Sequence, residues 1–466
     1  MTASTGRDPE ACPTHQRPLR TLDTLPRVGI RDLARDHGRF YKPTGRRSAL
    51  WELGERFLIA VPLGPKVVVT SSPQDARAVF ADRDGALSFG ELLRRFTPHE
   101  SLFGSDAYIF LDGEAHVQER RKITPALHGK VLKSYERAMV DSVLRRLPEW
   151  PLGRPVEFSA IGRQLSLDVM MTVIFGVSKP ERMQRLERAM LAYCGVTESP
   201  SFLGVDLVTM ALRGRWVPIP KVARTAAAVD AIVLEEIAER RRTGSRPDDC
   251  LTMFLELNEQ EDEPHDDAFL ARSMRGLMLA GYAATAVTLG WLADYLVHQP
   301  DALAALEESV DRGEDGYLDA VVAEALRLRP ALPVTGRRAQ RAFNLNGLLV
   351  PPGAYIVIAI TALHQRADLH PDPLAFRPER FLGSRPETHT WLPFGGGVHR
   401  CLGDELALFE ARVLLRTLLQ HRRLSAVDAR PGGRASRTHP LLVPAGGAPV
   451  VLSARDRTGQ SAPPNG

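Results

Sequence analysis

Cys401 closes the run FGGGVHRCLG (residues 394–403) and is followed by DELALFE, a helix-forming stretch. At the junction of a glycine-rich loop and a helix, backbone N–H groups and the helix dipole favour a thiolate over a thiol. A thiolate binds soft metals, and one sulfur alone cannot complete a zinc site. It suits the single axial bond of a haem iron. Gly395, Gly396 and Gly397 would let the backbone approach a flat macrocycle and take φ values closed to other residues. Phe394 would shield the sulfur from water, His399 would reach a haem propionate, and Gly403 would allow close packing at the helix start. An isolated cysteine is usually a buried, inert thiol; the ten-residue setting argues against that here.

The whole run resembles the cysteine-ligand loop of the cytochrome P-450 family, F-x-x-G-x-H/R-x-C-x-G, at every fixed position, and the match continues through Leu406, Ala407 and Glu410. Glu324-Ala325-Leu326-Arg327 resembles the family's E-x-x-R helix motif, and FRPERF at 376–381 its downstream P-E-R-F segment. Glu324 and Arg327 share a helix face, and the resemblance implies that Arg380 joins them in a buried network behind the cysteine loop. His116 and Arg120, at i and i+4 in EAHVQERRK, resemble the family's pair that meets the haem propionates. Arg337, beside Arg338 in PVTGRR, matches another propionate-binding arginine. Charge-assisted bonds from such cations would fix the cofactor's orientation.

The resemblance implies a mainly α fold with a small β lobe: the family's triangular helical prism, with haem b between a long distal helix and the cysteine loop. It implies a monooxygenase that inserts one oxygen atom of dioxygen into a small hydrophobic or secondary-metabolite substrate. Thiolate ligation by Cys401 favours O–O cleavage. No flavin, nicotinamide or P-loop fingerprint is present, so electrons would come from a ferredoxin or other donor protein and its NAD(P)H reductase. Arg120 to Lys122, Arg400 and Arg412 would form the docking side.

One motif departs from the family. The usual distal signature A-G-x-E/D-T here reads Ala280-Gly281-Tyr282-Ala283-Ala284, followed by Thr285. Leu289 and Trp291 hold the register, so the acid has become Ala283 and the alcohol Ala284. One residue along a helix turns Thr285 about 100° from its predecessor. Ordinary monooxygenation with water or a substrate hydroxyl as proton source stays open. So do oxidative coupling, nitration, desaturation and peroxide-driven oxidation, and a haem-binding protein without turnover.

The elements that must position these residues are legible in outline. Phe57–Val61 and Lys66–Thr70 read as a hairpin around Leu63-Gly64-Pro65. From Pro73 to Gln299 the pattern is mostly helical, with helices expected at Ser134–Leu147, Ser166–Phe175, Ala226–Arg242 and Asp267–His298; another, Tyr317–Arg329, ends before Pro330. Strands are expected at Leu345–Leu349 and Tyr355–Ala359, a helix at Gly403–Leu419 and a hairpin at Pro440–Leu452. The β-rich lobe would thus be assembled from both ends of one domain, 21–454, between flexible tails 1–20 and 455–466.

The chain has 466 residues, 44% hydrophobic and 25% charged, which is ordinary globular usage. With 60 Lys plus Arg against 56 Asp plus Glu, dispersed, no field for nucleic acid is expected. Four cysteines without a CxxC pair suit neither a disulfide framework nor a zinc site and fit a reducing, cytoplasmic setting. The uncharged run Gly276–Ala293 just meets the roughly 18-residue membrane threshold, but the resemblance makes it the distal helix; no membrane is expected. A monomer is expected.

Overall fold

The computed structural model describes residues 19–29, 53–60, 64–96, 99–176, 179–197, 219–383, 387–429, 432–433, 435–437 and 441–455. Strands β1 (Arg27–Gly29), β2 (Arg56–Ala60), β3 (Lys66–Thr70) and β4 (Leu87–Ser88) come early, and β5 (Pro155–Glu157) lies among the helices. β6 (Thr335–Ala339), β7 (Phe343–Leu345), β8 (Leu348–Val350) and β9 (Tyr355–Ile358) follow the helical body. Six of these form one sheet in the order β1-β2-β3-β9-β6-β4. The lobe therefore does join both ends of the sequence. β2 and β3 pair antiparallel with Ile59 opposite Val67, as the hairpin pattern predicts. Val67, Val68 and Val69 are all buried, since a central strand covered on both faces selects a continuous β-branched run rather than alternation.

Three details differ from the sequence expectation. Leu345–Leu349 is not one strand: it folds back at Asn346-Gly347, both at positive φ (47° and 86°), into the β7–β8 hairpin. Asn-Gly favours that turn. β9 does not pair with β8 but inserts between β3 and β6. The strands within 440–452 are likewise not a hairpin: β10 (Arg422–Ala426), β11 (Ala435–Arg437), β12 (Leu442–Pro444) and β13 (Pro449–Ala454) split between two sheets, β12 on β11 and β13 between β10 and β5. For β9 and β13, partners are chosen by burial across the fold and not by sequence proximity. At the ends, Arg20 N–H bonds Gly347 O at 2.8 Å, and Arg455 pairs with Asp311 at 2.7 Å. Both positions were expected to lie in tails; the rest of those stretches falls outside the described residues.

The helices are α1 (Pro73–Phe80), α2 (Gly90–Phe96), α3 (His99–Phe103), α4 (Gly113–Ile123), α5 (Leu132–Arg146), α6 (Phe158–Met170), α7 (Pro180–Thr197), α8 (Pro220–Thr243), α9 (Cys250–Glu259), α10 (Asp267–Val297), α11 (Pro300–Asp311), α12 (Gly316–Leu328), α13 (Ile360–His364) and α14 (Asp404–His421). α10 is the axis. Asp266 caps it by accepting from Phe269 N–H at 2.7 Å, and its 31 residues run about 46 Å. It carries almost no polar face because α6, α8, α12 and α14 surround it.

α6 continues into a π turn, Met171–Phe175, and with it forms an 18-residue apolar helix, Phe158–Phe175. This and α10 are the two helices among the described residues long and apolar enough to cross a membrane, and 72% and 67% of their most apolar windows are buried inside the fold.

Candidate active site

The cysteine loop is built by its glycines. Gly395 and Gly397 sit at φ +67° and +69°, which a side chain would oppose. A Cβ at Gly396 would lie 2.4 Å from the Phe80 ring, and one at Gly397 2.5 Å from Phe80 O, so α1 presses directly on the loop. Cys401 N–H closes it onto Phe394 O at 2.9 Å. Phe394 stands edge-on to Trp391 (5.9 Å) beneath the Arg400 guanidinium (5.8 Å). At Gly403 an added Cβ would meet nothing; close packing is not what requires that glycine. Its backbone N–H instead favours the ionised form of the Cys401 sulfur.

Cys401 is exposed, yet desolvation by the surrounding protein is the largest influence on its thiol. Both facts hold if the sulfur opens onto an enclosed space. Desolvation pushes the thiol up, and Gly403 N–H, Arg120 and Arg400 oppose it only partly. Burial thus works against the thiolate that the loop and helix start favour.

Four basic side chains converge beside the loop. The His116 and His399 rings meet tilted by 39° with centroids 3.9 Å apart, and Arg120 donates to Arg400 O at 2.6 Å. Arg337, on β6, is buried over the rings of Phe89 (4.8 Å) and Phe80 (5.5 Å). Burial holds Arg337 down to about 10. Arg338 points elsewhere, to Gln340 and Glu91. The carboxylate facing this group is Asp112, at the start of α4, and sequence reasoning missed it. It accepts from His399 Nε2 at 3.1 Å, Phe89 N–H at 3.0 Å and the Ser88 hydroxyl. An Asp-Gly pair just before a helix carrying His116 and Arg120 was the available signal.

His116 is 1% exposed and its Nδ1 has no hydrogen-bond partner. Burial, then the charge of His399, hold its pKa down to about 3. A buried polar atom without a partner, inside a cluster of two histidines and two arginines facing one carboxylate, fits a ligand that brings two more carboxylates. Haem propionates meet that requirement.

Behind the loop, Glu324 bonds Arg327 at 2.7 Å and Arg380 at 3.0 Å, and also accepts Arg377 N–H at 2.8 Å. Arg327 reaches past it to His364 O and Pro373 O. The three residues named from sequence are thus one network tying α12 to the segment before the cysteine loop.

On α10 the buried pattern breaks at one place. Ala280 is exposed and Leu277, Ala283 and Ala284 are half-buried in the middle of an otherwise covered helix, so this stripe also borders an internal space. Gly281 is half-buried there too, and an added Cβ would lie 2.5 Å from Met170 Sδ, so α10 also meets α6 at this residue. Thr285 is 4% exposed and lies off the open stripe. Thr288, which the sequence did not single out, turns its hydroxyl back to Ala284 O at 2.9 Å.

A helical body, a lobe from both chain ends and a lone cysteine in a glycine loop under a basic cluster define a haem-thiolate protein. The sequence signature described as Cytochrome P450 matches residues 52–443, and the chain belongs to that family. It is 36% identical over 391 residues to cytochrome P450 137 of Mycobacterium tuberculosis, covering 82% of this chain and 80% of that protein. It is 32% identical over 413 residues to cytochrome P450 138 of Mycobacterium bovis, covering 86% and 90%. Its fold superposes on the retinoic acid bound cyanobacterial CYP120A1 with a TM-score of 0.70 at 22% identity, covering 87% of this chain and 93% of that one. The protein is a cytochrome P450 monooxygenase whose cofactor is haem b.

Proposed function

We propose that this enzyme oxygenates a small apolar organic molecule, with Cys401 as the axial ligand, His116, Arg120, Arg337 and His399 around the propionates, and the Ala280–Ala284 stripe as the floor of the substrate space. The observation that carries the reading is the exposed Cys401 in its glycine loop, with the unsatisfied, buried His116 in the basic cluster beside that loop. Phe394, Gly395, Gly397 and Gly403 hold that sulfur. When bound, haem supplies the activation of dioxygen. The chain excludes water with Leu277, Ala280 and Ala284 and fixes orientation with its basic cluster.

The family takes electrons from redox partners. A ferredoxin with its NAD(P)H reductase fits the proximal side, where Arg121 is exposed. The neighbouring cations are partly neutralised: Lys122 pairs with Glu119, Arg400 with Asp404 and Arg412 with Asp319. Such a face supports a weak, transient encounter. The one-domain span 21–454, a cytoplasmic setting and a monomer belong to the same reading. The alternative of non-hydroxylating chemistry is favoured by one observation, that Ala283 and Ala284 leave the open stripe without an ionisable group.

The reduced carbonyl complex of the purified protein is expected to show the red-shifted Soret band of a thiolate ligand, and Cys401→Ser is expected to abolish it. A colourless wild type, or a variant keeping that band, overturns the assignment.

A further inference from the structure

The amide that joins Leu402 to Gly403 has a partner that the sequence did not point to. His128, on the turn that follows α4, places its Nε2 2.6 Å from Leu402 O. A carbonyl oxygen can only accept, so Nε2 carries the proton and donates it. Nε2 also lies 3.7 Å from Asp404 Oδ1, and Nδ1 lies 3.4 Å from Glu405 Oε1. Both ring nitrogens therefore face oxygen acceptors at the start of α14. The turn that presents the ring is itself fixed. Glu405 Oε2 accepts from Gly129 N–H at 3.0 Å, Tyr135 donates to Ala126 O at 3.1 Å, and Ala126 and Leu127 are buried.

The carbonyl held by His128 and the Gly403 N–H belong to one amide. Burial opposes ionisation of Cys401, and of the groups that favour it the Gly403 N–H contributes more than Arg120 or Arg400. Hydrogen bonds in a chain polarise one another, so a donor at an amide oxygen makes the N–H of that amide a stronger donor in turn. His128 thus reinforces, from the other end of the amide, the group that the sulfur depends on most. Hydrogen bonding around an axial ligand is one of the levers by which a protein sets the potential of a haem.

We propose that His128 is a positioning residue for electron uptake: by donating to Leu402 O it polarises the Leu402–Gly403 amide and moderates how strongly the Cys401 sulfur donates to the haem iron. The inference rests on the reading of Cys401 as axial ligand. A sulfur that donates less favours the oxidised iron less, so His128 raises the potential at which the enzyme takes up an electron. His128 is not among the residues placed around the propionates, so its effect on potential is separable from haem retention.

Dye-coupled redox titration of the haem-loaded protein, with His128→Phe and His128→Gln beside the wild type, tests this. Phe keeps a ring without a donor, and its midpoint potential is expected to shift to more negative values. The iron–sulfur stretching band in resonance Raman spectra is expected to move to higher wavenumber. Gln is uncharged but offers an N–H at the reach of Nε2, and is expected to return both readings toward the wild type.

A wild-type potential in His128→Phe overturns the proposal. So does a His128→Gln potential equal to that of His128→Phe, which would make the effect one of ring charge or packing. If His128→Phe does not fold, His128→Leu, smaller and equally without a donor, is read in its place. The thiolate Soret band of the reduced carbonyl complex keeps the two readings apart. Its absence from the wild type defeats the ligand assignment, whereas its presence with an unmoved potential defeats the role of His128 alone.

Discussion

Arg327 grips Glu324 with two parallel hydrogen bonds, Nε to Oε2 at 2.7 Å and Nη2 to Oε1 at 2.8 Å, and neither side chain reaches solvent. Bidentate geometry and the extra bonds to Arg380 and the Arg377 N–H offset the cost of burying both charges. Removing one partner strands the other. Glu324→Ala and Arg327→Ala are each expected to lose about 3 to 5 kcal/mol and most of the bound haem. Chemical denaturation and the haem-to-protein ratio measure this; full stability in both variants would make the pair dispensable.

Acid should weaken the haem-free protein in a defined window. His116 is held at about 3, whereas the unfolded chain takes up its proton near the ordinary 6.5. As pH falls from about 6.5 toward 3, the unfolded state therefore binds a proton that the folded state refuses, and stability declines. His116→Phe should flatten this part of the profile. Equal slopes for wild type and variant in urea midpoints from pH 7 to 4 would contradict the argument.

Asp112 shows the same sign at lower pH. Burial alone would raise its pKa, but hydrogen bonds from His399 and Ser88 outweigh burial and hold it at about 2, below its ordinary 3.8. Its contribution is complete above about 4 and lost as pH falls toward 2. Asp112→Asn should leave the His399 ring free to turn and lower haem retention at neutral pH. Retention equal to wild type in a haem-transfer assay would show that His399 needs no such anchor.

Restoring the absent pair, Ala283→Glu with Ala284→Thr, is expected to change how electron input is divided between product and peroxide. Ala284 borders the open stripe and its carbonyl already carries the Thr288 hydroxyl, so the new threonine has room and a polar neighbour. Identical coupling in the double variant and the wild type would mean that the distal helix has no part in proton supply. Turnover with peroxide alone, and none with dioxygen, would replace plain oxygenation by the peroxide-driven alternative.

The sequence by itself determined the family, the cysteine loop, the long apolar helix and the missing acid-alcohol pair. Those depend on local rules: glycines at positive φ, a cysteine ahead of a helix, a charge-free run too long for a strand. Glu324, Arg327 and Arg380 were also named correctly, because a motif fixed their identities though not their contacts.

What only tertiary structure decided depends on packing between distant segments. Which strands pair, β9 with β3 or β13 with β5, is set by shared burial over hundreds of residues of separation. Gly281, named from the distal motif, proves also to be where α10 meets Met170 of α6. The desolvation that acts on the Cys401 thiol comes from the surrounding fold and opposes what the local Gly403 N–H favours. Glu410 was read as the tail of a motif; its complete burial became visible only once α5, α10 and α12 had closed around α14. A titratable group's state is set by everything within a few ångströms, and one dimension of sequence does not contain that neighbourhood.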